Sequence, residues 1–165
     1  KGILYGGFIA TSNGVKLIEY NARFGDPEAM NVLSLLQSDF VDICTSIANS
    51  NLKNTDISFL NKASVCKYAV PNGYPNKPIK GEEINVDNVF EPDMLFYASV
   101  TKQGDRLILA GSRAVAVVAV EESISEAERV AENEICSIKG PLFHRKDIGK
   151  ESLIQNRINH MKSIR

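Results

Sequence analysis

"LIEYNARFGDPEAM", residues 17–30, carries an apolar run into a dense cluster of polar and charged groups. In a strand, residues two apart share a face, so Val15, Leu17, Glu19, Asn21 and Arg23 line one side. The apolar members come first and the polar members gather at the C-terminal end. Gly25-Asp26-Pro27 then breaks the strand, with Asp26 suited to cap a helix and Pro27 to its first position. Met30, Leu33 and Leu36, widened by Val32 and Leu35, follow at helical spacing. A strand that hands over to a helix in this way sends a carboxylate, an amide and a guanidinium into one cleft above a sheet.

Upstream, "ILYGGFIA" at 3–10 and "VKLIEYNAR" at 15–23 are apolar runs joined through Asn13-Gly14, a strong hairpin signal. Downstream, "FVDICTSIANSN" reads as a second helix and the polar "SNLKNTDIS" as a junction. The pattern then changes. "ASVCKYAV" is a short strand, and "PNGYPNKPIKGEE" is a loop dense in Pro, Gly and Asn, read as a rigid structural element. "DMLFYASVT" and "RLILAGS" are strands about a "KQGD" turn, and "RAVAVVAVEE" is a buried strand. Ser125 and Glu128 have the spacing of a capping box. Ala127, Val130, Ala131, Ile135 and Ile138 give the helix after them its buried face. The residues from 152 to 165 are polar and basic, with Leu153, Ile154, Ile158 and Met161 on a weak helical stripe. The fold class is α+β, in parts spanning 1–58, 59–150 and 151–165, the second being a small antiparallel sheet with one covering helix.

The chain has 165 residues, 44% of them hydrophobic, enough for a real core. A formal net charge of −1 provides no global field for nucleic acid or anionic lipid. No apolar run approaches the roughly 18 residues of a membrane span. Cys44, Cys66 and Cys136 are widely spaced and odd in number, which reads as buried reduced thiols rather than a disulfide framework. With only two histidines, His144 and His160, a zinc site is not expected. "KGILYGGFIA" opens directly in a strand-like run without Met, which reads as a piece of a longer polypeptide.

Glu19 and Asn21 offer oxygen ligands of the kind a hard cation such as Mg²⁺ prefers. Arg23 can grip a carboxylate or phosphate at two points. The helix beginning near Pro27 adds free N–H groups. Each element also has a plain structural reading. Glu-x-Asn is a common triplet, Arg23 and Asp26 could form a surface ion pair worth about 0–1 kcal/mol, and Asp26 could be a cap alone. The combination after a hairpin is far more specific than its parts.

Taken together, these residues resemble the signature of the phosphoribosylamine–glycine ligase (glycinamide ribonucleotide synthetase) family of the ATP-grasp superfamily, close to (I/L)E(F/Y)N-x-RFGDPE. The likeness continues through "LYGGFIATSNG", "SVCKYAVPNGYP", "LFYASVTKQGDRLILAGSRAVAVVAV" and "FHRKDIG", covering about residues 3–150. It implies that residues 1–58 are the C-terminal part of an ATP-grasp domain with an antiparallel sheet. It implies an enzyme that uses ATP and Mg²⁺ (or Mn²⁺) to join glycine to 5-phosphoribosylamine through a glycyl phosphate, giving glycinamide ribonucleotide, ADP and phosphate in cytoplasmic purine synthesis.

By the same resemblance, Glu19 and Asn21 match metal ligands. Arg23 and Asp26 match residues at the substrate end of the cleft, where Arg23 would hold an anionic group and Asp26 orient an amine or hydroxyl. Gly111, Ser112 and Arg113 match a G-(G/S)-R motif, and Arg113 and Arg145 would hold a substrate phosphate or carboxylate or form a salt bridge. Asp147 would hold Arg145. His144 stands where the family often has an aromatic residue and reads as packing. The family's N-terminal domain and ATP lid have no counterpart here, so the chain alone is expected to be inactive and to need the remainder of the same polypeptide. No nucleic-acid or membrane partner is implied. Two alternatives stay open: another ATP-grasp carboxylate–amine ligase or carboxylase, and a non-catalytic structural module.

Overall fold

The Asn13-Gly14 signal is realised as a hairpin. Strands β1 (Tyr5–Thr11) and β2 (Gly14–Asn21) pair antiparallel, and the Thr11 hydroxyl donates to the Gly14 carbonyl across the turn at 2.7 Å. The register sets Gly7 opposite Glu19 and Tyr5 opposite Asn21. The computed structural model describes residues 1–164, and Arg165, counted in the tail expected from the sequence, lies outside them.

Helix α1 (Glu28–Leu33) is much shorter than the stripe through Leu36 implies. Leu36 leaves the helix to form an isolated bridge with Phe59, while the Leu60 N–H donates to the Leu35 carbonyl and the Gln37 N–H to that of Ser58. The apolar spacing is satisfied by a helical turn followed by strand-like pairing. The N-cap position of α1 is held by Pro27, not Asp26, without a side-chain cap hydrogen bond. Helix α2 (Phe40–Ala48) follows, capped by Asp39, whose carboxylate accepts from the Val41 and Asp42 N–H groups.

The contacts then change body. Residues 63–150 form one unit, and residues 1–62 with 151–165 form another. In the unit of 63–150, β3 (Ala63–Pro71), β4 (Glu83–Ile84), β5 (Leu95–Tyr97), β6 (Val100–Gln103), β7 (Arg106–Leu109) and β8 (Val115–Glu121) precede helix α3 (Ile124–Ser137) and β9 (Leu142–His144). They build two antiparallel sheets, ordered β5-β8-β3-β9 and β4-β7-β6. The run read as one strand over "DMLFYASVT" is divided between them as β5 and β6.

Strand β8 lies between two neighbours and is buried from Val115 to Ala119, as its unbroken apolar run requires. Helix α3 covers β3 and β8. Ala127 and Ala131 are fully buried on its inner face, and small side chains there let the helix backbone approach the sheet. The core gathers Val65, Ala69, Val117, Ala119, Ile135 and Ile138. The capping box sits two residues earlier than expected: Ser123 is the N-cap, accepts from the Glu126 N–H and donates its hydroxyl to the Glu126 carboxylate at 2.7 Å. Glu128 is thereby free for a different role.

Helix α4 (Glu151–Ile164) belongs to the other unit, where it lies against β1. Leu153 and Ile154 are half-buried, whereas Ile158 and Met161 stay exposed. No described helix is long and apolar enough to cross a membrane.

Candidate functional site

Glu19 and Asn21 point to the same side of β2, two residues apart, as the pleat requires. Their side chains meet: the Asn21 Nδ2 donates to the Glu19 Oε1 at 3.2 Å. Glu19 is exposed and Asn21 partly so, leaving their remaining oxygens open to solvent. Arg23, also exposed, turns back to donate to the Phe24 carbonyl at 2.7 Å. Asp26 is exposed at the entrance to α1. With six residues, α1 carries too few aligned peptides for the anion-attracting terminus that the long stripe suggested.

Two other residues of the "RFGDPE" stretch fix the backbone of this junction. The Tyr5 hydroxyl donates to Glu28 at 3.0 Å, tying the start of α1 to β1. That hydrogen bond, together with the charge of Glu28, raises the Tyr5 pKa. Gly25 is buried, and a Cβ there would collide with the Glu28 carboxylate and meet the Tyr5 ring at 2.9 Å.

In the unit of 63–150, Gly111 has φ +95°, in the left-handed region. The space beside it that would admit a ligand is filled by the aliphatic chain of Lys80. Ser112 is exposed, and the Arg113 guanidinium sits over the Tyr68 ring, 5.0 Å from its centroid. Arg145 is committed to Asp147 through two bonds, Nε to Oδ1 at 3.0 Å and Nη2 to Oδ2. The hydrogen bond from Arg145 holds the Asp147 pKa low, and Asp147 raises that of Arg145. Both side chains are largely solvent-exposed, at 65% and 48%.

The sequence reading missed a charge network on the opposite side of this sheet. Lys67 sits between Val65 and Ala69 on the strand face that packs on α3, with no side-chain exposure. Its ammonium donates to Glu128 at 2.8 Å and to Glu132 at 2.5 Å. Glu128 also accepts from Lys150 at 2.9 Å. The Nε2 of His144 lies 3.2 Å from both oxygens of Glu132, so His144 is a polar partner and not packing. Burial opposes ionisation of Glu128, but hydrogen bonds from Lys150 and Lys67 outweigh it and lower its pKa. Glu132 behaves alike, with burial opposed by Lys67 and His144. Gly149, at φ +80°, approaches so closely that a Cβ would stand 3.0 Å from the Glu128 Cγ. Two signals in the sequence pointed here: a lysine inside an apolar strand, and two glutamates four apart on the inner side of α3.

The cysteines also differ from expectation. Cys66 is buried in β3, but Cys44 and Cys136 are exposed.

Comparison with known proteins agrees with this architecture. Residues 64–151 match the family model described as phosphoribosylglycinamide synthetase, C domain, and residues 1–29 match that of its ATP-grasp (A) domain. A phosphoribosylamine–glycine ligase of Methanocaldococcus jannaschii is 54% identical over 168 residues, covering 100% of this chain and 38% of that protein. One of Methanosarcina barkeri is 50% identical over 165 residues, with the same coverage of each. The chain thus spans 38% of the length of these relatives. The crystal structure of phosphoribosylamine–glycine ligase from Thermotoga maritima superposes with a TM-score of 0.65 at 23% identity, over 88% of this chain and 36% of that one, and so shares the fold. By the match across its sheet-and-helix unit, the chain belongs to the phosphoribosylglycinamide synthetase family.

Proposed function

We propose that this chain supplies the C-terminal portion of an ATP-dependent ligase that joins glycine to 5-phosphoribosylamine, giving glycinamide ribonucleotide, ADP and phosphate. The observation that carries the reading is the pairing of Glu19 with Asn21 at the open end of β2, within the residues that match the ATP-grasp model. A carboxylate and an amide oxygen fit a hard divalent cation, Mg²⁺ or Mn²⁺. The Asn21 amide now presents its nitrogen to Glu19, so to bind an ion it would turn its oxygen inward. When bound, such an ion screens the charge of the ATP phosphates.

Arg23 gives up only one carbonyl contact to reach an anionic substrate group, and Asp26 orients the amine or hydroxyl beside it. Ser112, Arg113 and Arg145 are read as further substrate contacts, while Lys80 occupies the space beside Gly111; Arg145 would exchange an exposed, solvent-screened ion pair for a substrate phosphate or carboxylate. Chain corresponding to the 62% of the Methanocaldococcus jannaschii relative that is not covered here (100 − 38) would supply the adenine pocket and phosphate cover, so the 165 residues alone do not turn over. Three cysteines outside any disulfide fit a reducing, cytoplasmic setting.

The test is glycinamide ribonucleotide formation by a full-length protein carrying this sequence, with and without Glu19→Ala and Asn21→Ala together. The expected result is a folded enzyme slowed by on the order of 10²–10³-fold, the several kcal/mol of charge stabilisation that the ion supplies. Equal activity, or an unfolded double variant, would leave the cluster a structural one. Turnover by the 165-residue chain alone would refute its dependence on the rest. Offering bicarbonate or other acids in place of glycine tests the alternative of a different ATP-grasp ligase or carboxylase.

A further inference from the structure

Helix α3 and strand β9 bring three different ligand types to one point. Glu132 and Cys136 are one helical turn apart on α3, and His144 ends β9. The Glu132 Oε1 lies 3.2 Å from the His144 Nε2 and 3.8 Å from the Cys136 Sγ. All three ligand atoms fall within 4.8 Å of one another. Ligands of one tetrahedral ion at bond lengths of about 2.0–2.3 Å are separated by roughly 3.3–3.7 Å, so two of the three spacings are already close to those of a filled site.

The surroundings complete the argument. The Glu132 Oε2 is held by the buried Lys67, which fixes the carboxylate with Oε1 towards the thiol, the orienting role that outer partners play at metal centres. The charge of Lys67 is already balanced by Glu128 and Glu132. A cavity of about 220 Å³ is lined by Cys136, His144, Phe143 and Lys146, giving an ion and its water a way in. Hydrogen bonding alone accounts for the Glu132–His144 contact; the thiol at the same carboxylate oxygen is the added element. Thiolate, imidazole and carboxylate together select a borderline-soft ion, unlike the all-oxygen pair on β2.

We propose that Glu132, Cys136 and His144 form a second metal site, for a single divalent ion of the zinc class, with a fourth position open to water from the cavity. Binding forms a metal–sulfur bond and releases the Cys136 thiol proton to solvent.

The experiment titrates the reduced, chelator-treated 165-residue chain with Co²⁺ and then with Zn²⁺. The expected result is one saturable equivalent of Co²⁺ with a thiolate-to-metal charge-transfer band, displaced by Zn²⁺. Cys136→Ser removes the band, His144→Gln weakens binding by at least about 10-fold, and Cys44→Ser leaves both unchanged. No band, a band that survives Cys136→Ser, one lost in Cys44→Ser, or full affinity in His144→Gln overturns the proposal. In the unaltered chain, Zn²⁺ slows alkylation of Cys136 at least tenfold; an unchanged rate overturns it without relying on any variant.

Discussion

The two units of this chain treat their apolar residues differently. Among the described residues, Ile43 is the one buried hydrophobic side chain from the unit of 1–62 and 151–165, while the others belong to the unit of 63–150. In the former, Phe8, Ile9, Val15, Leu17, Ile18 and Tyr20 stand exposed on a two-stranded hairpin. An open apolar cleft of about 180 Å³ lies among Phe24, Leu33, Phe40, Ile43, Ile47 and Phe59. An isolated two-stranded hairpin is marginal in water. The unit of 63–150 instead closes a core and encloses an ion network within it. The contrast teaches that one unit closes a core of its own, whereas the other leaves much of its apolar surface open.

The contrast can be broken most severely at Lys67. Lys67→Met leaves the buried Glu128 and the half-buried Glu132 without their shared cation and is expected to cost about 3–5 kcal/mol, read from urea unfolding. A loss below 1 kcal/mol would mean that the network is solvated. Acid sharpens the same point. Because Glu128 has a lowered pKa in the fold, its contribution is fully present above the ordinary value of 4.5 and disappears as pH falls through the folded value. Stability measured with chelator should therefore drop below pH 4.5, and less steeply in Lys67→Met.

Smaller changes separate the units further. Gly149→Ala must adopt φ +80° and press on Glu128, and should lower the melting temperature by the equivalent of about 1–2 kcal/mol from the backbone alone. Ser123→Ala removes the α3 cap, for about 1 kcal/mol by denaturant titration. Leu17→Ala, in the hairpin, should fall within about 0.5 kcal/mol of the parent. A Leu17 effect as large as that of Ser123 would show that the hairpin face is covered after all.

What was legible in the sequence follows the same divide between local and distant causes. The Asn13-Gly14 turn, the buried run of β8 and the amphipathic face of α3 are set by residues near one another in the chain, and all were readable. The α1 stripe misled because Leu36 meets Phe59, a partner 23 positions away by subtraction of their numbers, and helical spacing says nothing of such pairings. The capping box was displaced because Ser123 and Ser125 offer overlapping S-x-x-E patterns, and only the end of β8 decides between them. Glu19 and Asn21 were readable as a pair by strand alternation. The Lys67, Glu128, Glu132 and His144 cluster draws on three elements that only the tertiary fold brings together.

Helix α4 rests on β1, so the unit of 63–150 is an insertion within the other. On the ribosome, the host body lacks its α4–β1 contact until α4 has emerged. The guest has every strand it needs once Lys150 is made. For this stretch of chain, the order of synthesis therefore lets the younger segment mature before the older one that frames it.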